Sequence, residues 1–174
     1  MAAISIEEIR SLTCADRVVR AMSSPAAEIG LAYSPWVASS EVGPDERAHV
    51  TALFEACGLT DEIADEGQMD CFTALTGPVP GFVAYFAKCM VDAATGMGIP
   101  PRLADRAVRQ LFLASGRMMA EGALGPEDHV RQMIDYAGMT AAGLNVMEDS
   151  TIREAIANAL KAAVERSGTL LQEG

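Results

Sequence analysis

The stretch that most constrains this chain is Thr73 to Gly98, TALTGPVPGFVAYFAKCMVDAATGMG. It opens with a turn rich in Gly and Pro (Gly77, Pro78, Pro80, Gly81) and continues as an apolar run that stops at Gly96 and Gly98, just before Pro100 and Pro101. Phe82, Tyr85, Phe86, Cys89, Met90 and Ala93 recur at spacings of three and four, so on a helix they share one broad face. Such a face has to be buried against something. The run is about as long as a membrane span, but Lys88 and Asp92 sit in its middle, and each would cost about 2.5 to 3.5 kcal/mol at a bilayer centre. The stretch is therefore expected to be the central helix of a soluble helical core, with no membrane partner.

Composition supports helices. Half of the 174 residues are hydrophobic and only 5% are aromatic, with many Ala and Met, which suits close-packed helices better than a β sandwich. A net charge of -11 with no Lys/Arg cluster argues against nucleic acid, whose phosphates such a surface repels. Cys14, Cys57, Cys71 and Cys89 show no CxxC and no His at ligand spacing, so they are read as buried, reduced thiols and zinc is not expected. The opening MAAISIEEIR has no basic stretch leading into an apolar run, so a secretory signal is not expected and the cytoplasm is.

In chain order, Ser5 and Glu8 form a capping-box pattern for a helix over Ile6 to Leu12. Asp16 to Met22 is a short apolar run of strand length that ends at the turn Ser23-Ser24-Pro25. Ile29 to Ser39 reads as a second strand in which Pro35, having no N–H, predicts a bend or an edge position. Gly43-Pro44 opens a helix with Val50, Leu53, Phe54 and Cys57 on its inner face, and Leu59 to Ala64 is read as one more strand. From Gly67 onward the signals are helical. Pro101 precedes a helix to Glu121 with Leu103, Ala107, Val108, Leu111, Phe112, Ser115 and Met119 inward. Asp105 and Arg109 are predicted to form an exposed i,i+4 pair. Pro126 starts a short helix with His129, Val130 and Met133; Thr140 to Met147 is another. Thr151-x-x-Glu154 caps a last helix to about Leu171, with a stripe of Ile156, Ala159, Leu160, Ala163 and Val164.

The boundary between the α/β and all-helical parts falls near Glu66. The helices carry more apolar surface than one layer of them would hide, and the small residues Gly81, Ala84, Ala87, Ala93, Ala94 and Gly96 allow close backbone approach. Burial against a second copy, as an interlocked dimer, follows. Met90, Met97, Met118 and Met119 are read as core fillers, and Trp36 as packing beneath a loop.

No self-contained catalytic constellation is legible. His49 and His129 belong to no HExxH pattern and are read as surface or capping residues. Neither G-x-S-x-G nor G-x-x-x-x-G-K-[ST] occurs. Gly96-Met97-Gly98 ends a helix, whereas a dinucleotide fingerprint must follow a strand and open one.

Four segments nevertheless occur in a familiar order: VVRAM at Val18 to Met22, TALTGPVPGF at Thr73 to Phe82, PPRLADRAVRQLFLASGRMM at Pro100 to Met119, and YAGMTAAGL at Tyr136 to Leu144. The chain, from about Asp16 to Leu170, resembles the later part of pyrroline-5-carboxylate reductase, whose members read VVRAMPNTP, TALSGSGPAY, a helix beginning LPR.LA, and SPGGTT..GL. The resemblance implies a mainly α chain: an all-helical dimerisation domain over residues 67–174, preceded over residues 1–66 by a small, incomplete Rossmann-like α/β unit without the G-x-G-x-x-G half. It also implies NAD(P)H-dependent reduction of 1-pyrroline-5-carboxylate, a cyclic imino acid, to proline, in a homodimer whose active site lies between the nucleotide domain and the helical domains. The cofactor would be NADP or NAD.

Carried over by position, the resemblance assigns Met22, Ser23 and Ser24 to the nicotinamide, Gly77, Gly138, Met139 and Thr140 to the substrate, and Thr76 and Thr140 to catalysis. Thr76 and Thr140 read equally as helix caps, and Ser23 and Ser24 as turn residues. Several positions depart from the family pattern. Pro78 and Val79 stand for a serine and a glycine, Asp135 for a serine and Ala137 for a glycine. These departures keep open an alternative, a non-catalytic helical dimerisation module derived from the family, and a third reading, a helical dimer unrelated to it.

Overall fold

The computed structural model describes residues 4–169. The fold is mainly α, with a small Rossmann-like α/β part ahead of the helices. Among the described residues the α/β part runs α1 (Ile6–Thr13), β1 (Val19–Ala21), a 3-10 turn (Pro25–Ile29), β2 (Ala32–Ala38), α2 (Pro44–Glu55), β3 (Gly58–Glu62) and a second 3-10 turn (Glu66–Gln68). Helices follow: α3 (Met69–Thr76), α4 (Gly81–Gly96), α5 (Pro101–Glu121), α6 (Pro126–Asp135), α7 (Met139–Glu148) and α8 (Ile152–Thr169). Two compact units result. One contains the described residues up to Val79 and those from Ala157; the other is Pro80–Ile156.

In the first unit the sheet order is β1-β2-β3, antiparallel between β1 and β2 and parallel between β2 and β3. The parallel pair needs a crossover, and α2 supplies it. At Gly58, φ is +145° and a Cβ would lie 2.1 Å from the Ala32 carbonyl oxygen, so only glycine lets β3 start beside β2. Val37, Ile63 and Met69 form the core, with Ile6, Met22 and Phe72 packed on it. Across this core lies an ionic tie. Arg20, buried on β1, donates to Glu66 at 3.0 Å and to Asp70 at 3.3 Å, and Glu66 also accepts from the Ile6 N–H at 2.8 Å. A guanidinium held out of water needs such partners, and these join α1, β1 and α3.

Of the two placements expected for Pro35, a bend or an edge, the edge is corrected: β2 is the central strand of the described sheet. The Pro35 carbonyl faces the β1 side, where it accepts from Met22 N at 3.1 Å just past the last residue of β1. The register sets Pro35 opposite Met22, so the missing N–H removes one of that pair's two hydrogen bonds, the one to the Met22 carbonyl, and β1 ends there.

In the second unit α4 packs on α5 and α6 on α7. Gly125 and Pro126 open α6 as expected, and Arg109 and Asp105 pair at 2.9 Å. Within the chain itself, the faces expected to point inward are open over much of this unit. No residue of α4 is buried, and on α5 only Ala104 and Val108 are. Tyr85 is 69% exposed, and Phe82, Leu103, Leu111 and Met119 are exposed too. Among the described residues the main helix packings of this unit are α4 on α5 and α6 on α7, which leave much of the apolar surface uncovered. Met97 and Met118 are likewise exposed rather than core fillers. Leu53 on α2 is exposed as well, and Cys14, Cys71 and Cys89 are exposed free thiols, with Cys57 half-buried. Trp36, in contrast, is buried as expected.

By length and composition the run Glu66–Gly96 could cross a membrane. It is not one helix of that length, however, because the turn at residues 77–80 divides α3 from α4. The Lys88–Asp92 pair, at 2.6 Å, sits in the middle of α4.

Candidate functional site

The first group of predicted site residues follows β1. Met22 is fixed by its hydrogen bond to the Pro35 carbonyl, and the Ser24 carbonyl accepts from Ala27 N at 3.0 Å as the 3-10 turn begins. Ser24 is buried and Ser23 is exposed. The Ser23 hydroxyl oxygen accepts from Ser34 Oγ at 2.9 Å.

Thr76 and Gly77 end α3 in the same unit. A Cβ at Gly77 would stand 2.4 Å from the Thr73 carbonyl oxygen and 3.3 Å from Met22 Cε, so the absent side chain lets the turn close onto Met22. The fold thus brings together a residue predicted for the nicotinamide and one predicted for the substrate. Thr76 donates its hydroxyl proton to the Phe72 carbonyl at 2.9 Å. It does not cap the long helix, whose N-cap is Pro80.

The second group is the junction of α6 and α7, in the other unit. Gly138 is the N-cap of α7, so Thr140 is the second residue of the helix and not its cap. The N–H groups of Met139 and Thr140, in the first turn, have no intrahelical acceptor. With the helix dipole behind them they form a local donor pair that suits a carboxylate. Met139 is 92% exposed and Thr140 and Asp135 are also exposed, so the end of α7 is open to solvent. Ala137 has φ +56°, in the left-handed region, where a residue with a Cβ pays about 1 to 2 kcal/mol. The ring of Tyr136, itself exposed, lies 3.1 Å from where a Cβ at Gly138 would be, so a larger residue there would push the ring aside by a few tenths of an ångström.

Sequence reasoning missed Ser34. Its signal was a hydroxyl residue on a strand between Tyr33 and Pro35, a pattern that a turn-seeking search passes over. It also missed the Arg20, Glu66 and Asp70 tie, whose members are 46 and 50 residues apart in the chain.

A three-stranded mixed sheet leading into helices with exposed apolar faces defines a fold of the Rossmann-plus-helical kind. The model of the family described as pyrroline-5-carboxylate reductase dimerisation matches residues 66–170. The chain belongs to the pyrroline-5-carboxylate reductase family. It is 29% identical over 170 residues to the pyrroline-5-carboxylate reductase of Synechocystis sp., a match that takes in 98% of this chain and 63% of that protein. A pyrroline-5-carboxylate reductase from Coxiella burnetii superposes with a TM-score of 0.86 at 26% identity, over 95% of this chain and 62% of that one. A Plasmodium falciparum pyrroline carboxylate reductase with NADP bound shares the fold, with a TM-score of 0.80 at 24% identity over 97% of this chain and 68% of its own. The chain therefore spans somewhat under two thirds of the length of its relatives from Synechocystis and Coxiella.

Proposed function

We propose that this chain serves the NAD(P)H-dependent reduction of 1-pyrroline-5-carboxylate to proline, as a homodimer joined through its helical domain, residues 67–174, with residues 1–66 as its nucleotide-side unit. The observation that carries the reading is the approach of Met22 to Gly77, which joins a cofactor position to a substrate position within one unit. The exposed apolar surfaces of α4 and α5 support the homodimer, since burying a side chain such as Tyr85 or Phe82 contributes about 1.5 to 3 kcal/mol. A cytoplasmic location, with neither membrane nor nucleic acid as partner, accords with the Lys88–Asp92 pair in α4 and the acidic charge.

The residues fit the nicotinamide end of a dinucleotide: Ser23 offers an exposed hydroxyl, and Met22 offers an apolar side chain beside it. For the pyrophosphate the described residues hold no glycine-rich strand-turn-helix, so this chain's own contribution is to the nicotinamide end. Bound NADPH or NADH would supply the hydride to the C=N carbon. The chain's part is to hold and orient. The N–H groups of Met139 and Thr140 would bind the substrate carboxylate, Gly138 would permit its close approach, and the Thr140 hydroxyl would stand near the ring nitrogen as a donor. Thr76 has spent its proton on the Phe72 carbonyl, so its role is to shape the turn around Gly77 rather than to donate.

A second reading, a non-catalytic dimerisation module derived from the family, is favoured by the left-handed Ala137 where the family has glycine, and by Pro78, which removes a donor from the turn. Titration of the chain with NADH and NADPH, following cofactor fluorescence with and without proline, separates the two. Saturable binding is expected. A dimer by sedimentation that binds neither cofactor would leave the dimerisation module in its place.

A further inference from the structure

Helix α4 has a second side, away from the Phe82 side on which the proposed dimer rests. At about 100° per residue, Ala84, Ala87, Lys88 and Val91 fall on the side of α4 opposite to Phe82, Phe86 and Cys89. There, beside the contact of α4 with α5, lies a cavity of about 410 Å³. Its floor is apolar: Ala87 and Val91 are half-buried, and Val108 of α5 is buried. Its rim is ionic, formed by Lys88, Asp105 and Arg109. Arg109 donates through Nε to both Asp105 oxygens, at 3.0 and 2.9 Å, so among the described residues its two terminal nitrogens have no partner. Lys88 spends one of its three N–H groups on Asp92, at 2.6 Å. An apolar floor with a few convergent polar groups, in a volume of this order, is the usual form of a small-molecule site.

We propose that this cavity binds a free α-amino acid with an aliphatic side chain. The two open terminal nitrogens of Arg109, with the Lys88 ammonium beside them on the rim, suit a carboxylate, which a guanidinium fork grips through two parallel hydrogen bonds. Lys88 and Arg109 are balanced by Asp92 and Asp105, so the rim has no net charge. A neutral rim favours a zwitterion over a simple anion: the ligand ammonium meets the Asp105 carboxylate, whose oxygens keep lone pairs after accepting from Arg109. The floor takes the aliphatic side chain and offers it no hydrogen-bond partner. The rim side chains are exposed, and exposed ion pairs contribute little, so the affinity is set at a Kd of about 1 mM. None of these residues is among those proposed to meet the imino acid or the nicotinamide, so the inference does not rest on that reading.

The test uses the full chain, labelled with carbon-13 in its alanine methyl groups, and two probes followed by NMR: L-leucine, and 4-methylpentanoate, which is the same skeleton without the ammonium. Leucine is expected to shift Ala84 and Ala87, the two alanines that line the cavity, and to saturate with a Kd of about 1 mM. The 4-methylpentanoate anion should bind at least about fivefold more weakly. Arg109→Gln should raise the leucine Kd about tenfold, and with Arg109 78% exposed the variant is expected to fold. Ala87→Leu, which fills the floor, should abolish the shifts, and Arg109→Gln decides alone if that variant fails to fold. An unchanged leucine Kd in Arg109→Gln would overturn the proposal. So would equal or tighter binding of 4-methylpentanoate, which would make the cavity a site for simple carboxylates, or shifts that peak at the buried Ala141 of α7 instead. Failure of leucine to saturate by about 50 mM would overturn it outright.

Discussion

The two units of this molecule treat their apolar residues in opposite ways. The α/β unit buries Trp36, Val37, Ile63 and Met69 within itself and ties its periphery with the buried Arg20. The helices from α4 to α7 bury little more than Ala104, Val108 and Ala141, and leave Phe82, Tyr85, Leu103 and Leu111 exposed. Both stretches carry helical or strand periodicity of comparable clarity in the sequence. The contrast shows that a regular apolar face reports that burial is needed, without saying which chain supplies the other side.

This contrast can be broken by placing charge on the exposed helical face. Tyr85→Asp should leave the fold of the isolated chain intact, since Tyr85 is 69% exposed, yet weaken the proposed homodimer by about 100-fold in dissociation constant. Sedimentation at several concentrations reads this directly. A wild-type chain that stays monomeric at tens of micromolar would remove the dimer from the account, because the apolar faces would then have no role in self-association.

On the other side of the comparison, the α/β unit should respond as a self-contained core. Glu66→Ala leaves the buried Arg20 guanidinium without one of its two carboxylates and frees the Ile6 N–H, and is expected to cost about 2 to 3 kcal/mol. Arg20→Met, which removes the buried charge and keeps much of its volume, should cost less. Urea unfolding of both variants gives the order, and the reverse order would mean that the tie contributes little beyond packing.

The smallest effect concerns Tyr33, whose hydroxyl donates to Asp61 at 2.9 Å. Burial foremost, and then the Asp61 carboxylate, hold the phenol above its ordinary value of 10.0. The folded state therefore prefers the neutral phenol. That contribution is fully present below pH 10 and is lost as pH rises through the raised folded value. Melting curves between pH 8 and pH 11 should fall more steeply for wild type than for Tyr33→Phe. Parallel curves would show that the phenol does not report on the β2 and β3 pairing.

Much of the element order was legible because it depends on local chemistry. Ser5 and Glu8 form the capping box, Gly43-Pro44 and Gly125-Pro126 start their helices, and Asp105 and Arg109 pair four residues apart. Pro35 misled because proline shows that a donor is missing, but not on which side of the strand or where the neighbouring strand stops. The cysteines and methionines misled for a related reason: an apolar position in the pattern says that burial is favourable, without naming the neighbour that would cover it. Of the candidate site, the contiguous Gly138, Met139 and Thr140 and the turn Met22, Ser23 and Ser24 could be named from sequence because each is a run of neighbours.

The sequence by itself determined the helices and their caps, the short strands, the acidic surface and the family, since all of these are written in residue types at short range. Only the tertiary structure decided that Met22 reaches Gly77, that Arg20 is held by Glu66 and Asp70, and that Ser34 points its proton at Ser23. Those contacts join residues 11 to 55 positions apart in the numbering. At such separations the pairing is set by how a sheet and a helix stack, which no local pattern encodes.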